Sequence, residues 1–223
     1  MPDLLHYQSS QPQADQSDLE NTHYDIIIIG GGITGAGIAR DAALRGLKVI
    51  LFEQNDFASG TSSQTSKLLH GGIRYLQNLE FKMVFQSLRE RQTLKNLTPS
   101  SAKELESLFP YYHDSTVANF KIGLGLTLYD LLATYHNTSI HSRIDQNEIK
   151  DIEPLIYRDD LAGAWTSYEY LVDDARLVIT VLLSAQKHGA HIFSHHKIEN
   201  FIRDNQRVIG VKVRSKSGTQ VLS

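Results

Sequence analysis

Residues 61–76 read TSSQTSKLLHGGIRYL, and they concentrate the side chains of this chain that can do chemistry. Thr61, Ser62, Ser63, Thr65 and Ser66 offer hydroxyls that donate and accept hydrogen bonds, so together they suit a ligand rich in oxygen. Lys67 adds a flexible cation, and His70 adds an imidazole that can take or relay a proton near neutral pH. Arg74 carries a planar guanidinium able to grip a phosphate with two parallel hydrogen bonds. Tyr75 adds an aromatic ring with a polar tip. The same residue types would also fit a solvated loop leading into a helix, and composition alone does not separate the two readings.

The elements before this stretch bear on that choice. Tyr24 to Ile29 holds four consecutive isoleucines and reads as a buried strand that stops at glycine. Ile33 to Arg45 reads as a helix with Gly46 as its C-terminal stop. Lys48 to Phe52 is a second short strand that closes on Glu53. Strand, helix, strand in this span is a βαβ unit with parallel strands and a right-handed crossover. Gly30-Gly31-Gly32-Ile33-Thr34-Gly35 satisfies G-x-G-x-x-G at the turn between strand and helix. Gly30 permits the tight turn, Gly32 lets a pyrophosphate approach the backbone, and Gly35 lets helix and strand pack closely. The helix N-terminus then offers amide donors and partial positive charge to phosphates. Glu53 stands where an acid should accept the ribose hydroxyls of an adenosine, which argues against a 2′-phosphate at that position. This motif does not choose between NAD and FAD.

Composition sets outer bounds. The chain has 223 residues, 41% hydrophobic and 21% charged, as in an ordinary globular protein. A formal net charge of -3 argues against bulk electrostatic binding of nucleic acid. There is no cysteine, so disulfides and thiol catalysis are excluded. His195-His196 look like a metal pair, but neighbours on a strand point to opposite faces; no metal site is expected. No apolar run is long enough to span a bilayer, while attachment to a membrane surface stays open. Residues 1–23 are rich in Gln, Ser and Asp, lack secretory or presequence features, and read as a disordered polar tail.

Further along, residues 81–97 read as a helix ended by Pro99 and two serines, and residues 119–136 as a helix weakened by Gly123 and Gly125. Residues 161–172 alternate and read as a strand, and 173–189 read as a helix with acids at its start. A short strand over AHIFSH and an antiparallel meander over KIENFIRD, RVIGVKVRSKSG and TQVLS close the chain. The grouping expected from this order is a βαβ unit with its following loop over 24–80, an inserted helical and strand region over 81–172, and a return to the first domain over 173–223.

Three segments, DIIIIGGGITGAGIARDAALRGLKVILFE, TSSQTSKLLHGGIRYL and YLVDDARLV, resemble the FAD-dependent glycerol-3-phosphate dehydrogenases, within the amino-acid-oxidase-like flavoproteins. The resemblance runs from residue 24 to about residue 215. It implies an α/β fold: a Rossmann-like FAD-binding domain with a β-meander and part of a substrate or cap domain. It implies FAD as cofactor and oxidation of sn-glycerol 3-phosphate to dihydroxyacetone phosphate by hydride transfer to the flavin N5. Electrons then pass to membrane quinone, or to oxygen in the oxidase branch. By the same resemblance Ser62, Ser63, Ser66 and Lys67 belong to the segment beside the flavin and its diphosphate. His70 becomes a candidate catalytic group, and Arg74 with Tyr75 the substrate-contacting pair. The expected location is the cytoplasm, with peripheral contact at the inner face of the cell membrane, and a homodimer stays open. Family members run to about twice this length or more; against them this chain is expected to be truncated after GTQVLS, without a further strand, further substrate-binding basic residues and a late glycine-rich segment, and to turn over weakly or not at all by itself. A non-catalytic FAD-binding remnant, or another flavoprotein oxidase of the same class, is the competing reading.

Overall fold

The computed structural model describes residues 22–98, 102–114, 116–133, 139–156, 159–215 and 218–222. The chain divides into two compact units, one running up to Thr65 and resuming at Asp174, the other spanning Ser66–Asp173. The sequence grouping had carried the first unit on to residue 80. The tail expected over residues 1–23 lies outside the described residues apart from Thr22 and His23.

The first unit opens with β1 (Ile26–Ile29), α1 (Ile33–Leu44) and β2 (Val49–Phe52). β1 and β2 pair in parallel, with Ile26 opposite Val49 and Ile29 opposite Phe52. All four residues of β2 are buried, as a central strand covered on both faces requires. α1 turns four alanines inward, Ala36, Ala39, Ala42 and Ala43, so its axis lies close to the sheet. Its end is a Schellman closure: Gly46 has φ of 81°, its amide donates to Ala43 O, and the Leu47 amide reaches back to Ala42 O.

The second unit is built on a long strand. It contains β3 (Leu68–Leu69), α2 (Phe81–Leu97), β4 (Ala102–Tyr112), α3 (Thr116–Ala133), β5 (Arg143–Ile144), α4 (Gln146–Ile152) and β6 (Leu161–Val172). β6 is central: β4 pairs antiparallel along its whole length, while β3 and β5 take opposite ends of its other edge. Among the described residues β4 pairs with β6 alone, so Pro110 costs no ladder bond on a second neighbour there. Sequence reading found no strand over 102–112. Lys103, Glu104 and Glu106 are exposed there, and pairing with β6 outweighs their weak strand preference. α3 begins at Thr116, earlier than expected, and residues 134–136 of the expected helix lie outside the described residues. Gly123 does not break it: a Cβ there would stand 2.7 Å from the Trp165 ring, so the glycine lets the helix rest on that side chain. Pro99 and Ser100 lie outside the described residues; α2 ends at Leu97, and the Thr98 amide still reaches Leu94 O. Asp130 of α3 takes both the Nδ1 of His141, beyond the helix, at 2.5 Å and its backbone amide at 2.9 Å.

The first unit resumes with α5 (Asp174–Lys187), β7 (His191–Phe193), β8 (Lys197–Asp204), β9 (Arg207–Ser215) and β10 (Gly218–Leu222). β7 adds to β2 in parallel, giving the order β1-β2-β7, and β8, β9 and β10 form the expected antiparallel meander. α1 and α5 cover one sheet face, where Ile28, Val49 and Leu51 meet Val178, Leu182 and Ala185. The meander covers the other, where Ile50 and Phe52 meet Val211 and Val213. This is the expected α/β architecture with a β-meander. At the start of α5 the Asp174 carboxylate accepts from the Thr65 hydroxyl at 2.9 Å and from the Ala175 amide at 2.9 Å. The residues at which the first unit is interrupted therefore touch one another. His195 and His196 fall in the turn after β7 rather than on a strand; His195 adopts φ of 57° and its amide donates to Asn55 O. Among the described residues no group of three or more potential ligands gathers around a metal site, and no helix is long and apolar enough to cross a membrane.

Two measurements test this packing. A Cβ on Gly35 would lie 2.0 Å from the carbonyl oxygen of Gly30, so Gly35→Ala must push α1 off β1. The urea midpoint should fall by the equivalent of about 1–3 kcal/mol or more, and an unchanged midpoint would show that the contact is slack. The second test uses His191, whose Nδ1 bonds the Tyr24 hydroxyl at 2.7 Å and whose pKa burial holds below the ordinary 6.5. The unfolded chain takes up this proton near 6.5 while the folded chain resists it, so this group lowers stability as pH falls through that value. His191→Gln should flatten the pH dependence of unfolding between roughly pH 7 and pH 5; an unaltered slope would reject the assignment.

Candidate functional site

The glycine turn of the first unit is shaped by the side chains around it. Gly30 has φ of 109°, a conformation a side chain disfavours, and its amide donates to Phe52 O at 2.8 Å. The Glu53 carboxylate is folded into the same turn: Oε2 accepts from the Gly31 amide at 2.8 Å and Oε1 from the Asn55 amide at 2.7 Å. A Cβ on Gly31 would meet Phe57 at 2.7 Å and Glu53 at 2.9 Å. Sequence reading assigned Glu53 to a ribose alone. It also fixes the turn, and each of its oxygens keeps a further lone pair for a ligand hydroxyl.

The start of α1 has no side-chain cap at Gly32 and no acid in its first turn. The amide of Ile33 donates instead to the Ser62 hydroxyl at 2.9 Å. A Cβ on Gly32 would come within 2.9 Å of that same hydroxyl. Ser62 thus stands over the positive end of the helix dipole, where an anionic oxygen is favoured. Gly30, Gly32, Gly35, Glu53 and Ser62 are brought together in the first unit. Ser63 lies on the same short 3-10 turn, with its hydroxyl on Gly60 O at 3.4 Å.

A cleft of about 180 Å³ opens at the C-terminal ends of β1 and β2. Ile29, Phe52 and Ile198 give it apolar walls, and Glu53, His196 and Lys197 put polar groups on it. Sequence reading missed His196, Lys197 and Ile198. The order β1-β2-β7 brings the chain after β7 beside Glu53, where the His196 amide donates to Glu53 O at 2.8 Å. The position is the one where open parallel sheets bind ligands, beyond the carboxyl ends of their strands.

Ser66, Lys67, His70, Arg74 and Tyr75 belong to the second unit. Ser66 and Lys67 are exposed, and Lys67 adopts φ of 59°. His70 and Arg74 are exposed. Gly72, at φ of 75°, reverses the chain into a 3-10 turn over Ile73–Asn78 that carries Arg74. The half-buried Tyr75 ring folds back over Gly72 and packs beside Leu76, Val84 and Leu88. Just before this turn, Gly71 meets a buried charged cluster that sequence reading did not find. Its amide donates to Glu169 Oε2 at 3.3 Å, and the same oxygen takes Arg91 Nη1 at 2.9 Å. Burial, then the neighbouring Glu169 carboxylate, push the Tyr129 phenol well above its ordinary value of 10.0.

The model for the FAD dependent oxidoreductase family matches residues 25–222. The chain is 42% identical over 200 residues to the aerobic glycerol-3-phosphate dehydrogenase of Staphylococcus haemolyticus, covering 89% of this chain and 36% of that protein. It is 39% identical over 212 residues to the enzyme of that name from Bacillus subtilis, covering 94% of this chain and 38% of that one. Among solved structures it is similar to the glycerol-3-phosphate dehydrogenase of Bacillus halodurans complexed with FAD, with a TM-score of 0.69 and 29% identity. That likeness covers 92% of this chain and 34% of the other. The chain therefore spans a little over a third of the length of the curated relatives it matches.

Proposed function

Because the chain belongs to the FAD dependent oxidoreductase family, we propose that it is the FAD-binding portion of a glycerol-3-phosphate dehydrogenase. The observation that carries this reading is the 42% identity, over 89% of the chain, to a relative of that name. The geometry of the first unit fits the cofactor. Glu53 would hold the adenosine ribose at the rim of the cleft between Ile29, Phe52 and Ile198. Gly32, Ser62 and the start of α1 would receive the diphosphate, because a side chain at Gly32 would fill the space before Ser62. FAD, when bound, supplies a two-electron acceptor for the hydride that leaves C2 of glycerol 3-phosphate.

The chain's own groups would do the rest. Arg74 would anchor the substrate phosphate through its guanidinium. His70 would take the proton of the C2 hydroxyl as the hydride departs. Ser63, Ser66 and Lys67 would bond the oxygens of the cofactor chain, and Tyr75 would hold the turn that presents Arg74. Onward transfer of electrons to a membrane quinone, with the protein peripheral at the inner membrane face, completes the proposal, and a homodimer is compatible with it.

Titration of FAD by quenching of its fluorescence tests the first part. The chain should bind, and Glu53→Gln should weaken binding roughly tenfold, as expected for loss of a charged acceptor; equal affinity would remove Glu53 from the cofactor site. Anaerobic addition of sn-glycerol 3-phosphate to the FAD-loaded protein tests the second. Bleaching of the flavin that needs roughly tenfold or more extra substrate in Arg74→Ala supports the phosphate anchor. A wild-type flavin that stays oxidised would favour the competing reading, a non-catalytic FAD-binding remnant, for this chain.

A further inference from the structure

His70 precedes, and the turn that carries Arg74 and Tyr75 follows, an amide bound to a buried carboxylate. Arg91 is 3% exposed and Glu169 is 9% exposed. Arg91 Nη1 donates to Glu169 Oε2 at 2.9 Å, to Tyr168 O at 3.2 Å and to the Tyr129 hydroxyl at 3.3 Å. Tyr129 in turn donates to Glu169 Oε1 at 3.1 Å. The remaining donor on Oε2 is the amide of Gly71 at 3.3 Å. Three elements of the second unit, α2, α3 and β6, thus converge on one backbone group adjacent to His70. The fit is tight: a Cβ on Gly71 would stand 2.1 Å from the Tyr129 hydroxyl oxygen and 2.4 Å from Leu88. Gly72, the next residue, is the left-handed pivot from which the Arg74 turn starts.

A buried ion pair seldom stabilises a fold more than apolar side chains of the same volume would. Apolar groups cannot, however, accept a backbone amide in a fixed direction. That direction is what the cluster adds to the core formed by Leu76, Val84, Leu88 and Ala133. We propose that Arg91, Tyr129 and Glu169 are positioning residues that lock the Gly71 amide and, through it, the orientations of His70 and Arg74. The functional weight of the lock rests on the substrate-facing roles proposed above for those two residues. Glu169 is the acceptor, Arg91 holds its carboxylate in place, and Tyr129 bonds the second oxygen while barring any side chain from position 71. Without the acceptor the amide loses the carboxylate that directs it, and the segment is free to pivot at Gly72.

The test compares the wild-type chain, supplied with FAD, with Glu169→Gln and with the paired variant Arg91→Met/Glu169→Met. The paired variant keeps the core filled and avoids leaving one charge buried alone. Hydrogen exchange resolved by peptide is read over residues 70–75 and over α2, α3 and β4. Exchange at 70–75 should accelerate roughly tenfold or more in both variants, with the other peptides at wild-type rates. The limiting rate of flavin reduction by sn-glycerol 3-phosphate should fall by a similar factor, while the flavin spectrum and FAD affinity hold. Unchanged exchange at 70–75 overturns the proposal, as does acceleration spread evenly through the unit. If Glu169→Gln alone loosens the whole unit, the paired variant decides. If the wild-type flavin is not reduced, this chain is a non-catalytic FAD-binding portion while the exchange result still decides the lock.

Discussion

The contact on which the first unit depends is an approach too close for any side chain: Gly35 of α1 against the carbonyl oxygen of Gly30. It sets the depth at which the helix lies on the sheet. The alanines of α1 then reach the core over Ile28, Val49 and Leu51, and the helix N-terminus stops beside the end of β1. The rest of the site follows from that placement. With the helix seated, the Gly31 amide faces Glu53 and the Ile33 amide faces Ser62. A helix standing one methyl group further out would carry the first amides of the helix away from both. The second unit uses the same device once more, where Gly71 lets Tyr129 and Leu88 press directly on the backbone.

The two units differ in how they use charge. In the first, Glu53 is partly exposed at a cleft and its carboxylate is held by backbone amides, so desolvation is modest and the oxygens stay available. In the second, Arg91 and Glu169 are taken out of water, which costs several kcal/mol per ion before their mutual attraction is counted. Part of the cost is offset by their partners: carbonyl, phenol, amide and each other. The Tyr129 phenol, raised by burial and by the neighbouring carboxylate, stays protonated and keeps its role as donor. One unit leaves an acid at an open cleft; the other buries an acid against its own backbone.

Local pattern made much of this legible in the sequence. The isoleucine run, the helical spacing before Gly46 and the alternation over 161–172 all report burial on one face or both, and each forms the element expected. The strand β4 was not legible, because its outer residues are charged and only the pairing with β6 makes it a strand. His195 and His196 were placed on a strand that ends at Phe193. The glycine fingerprint located the turn but not the other wall of the cleft, since His196, Lys197 and Ile198 arrive through the sheet order. The two glycines of HGG answer separate demands that the sequence does not reveal, Gly71 for contact with Tyr129 and Gly72 for a left-handed turn. Periodicity shows which face is buried; it does not say which distant acceptor an amide will meet.

The bond between Thr65 and Asp174 marks the point where the chain leaves the first unit and the point where it returns. Departure and return share one doorway. The excursion between them draws on no strand of the first sheet, so its length makes little difference to closing the loop, a cost that grows only with the logarithm of chain length. An interruption of this kind behaves as a cassette: it can be lengthened, shortened or exchanged by descent while the nucleotide cradle keeps its strand order. Such a fold can hold one cofactor chemistry constant and change the module inserted into it.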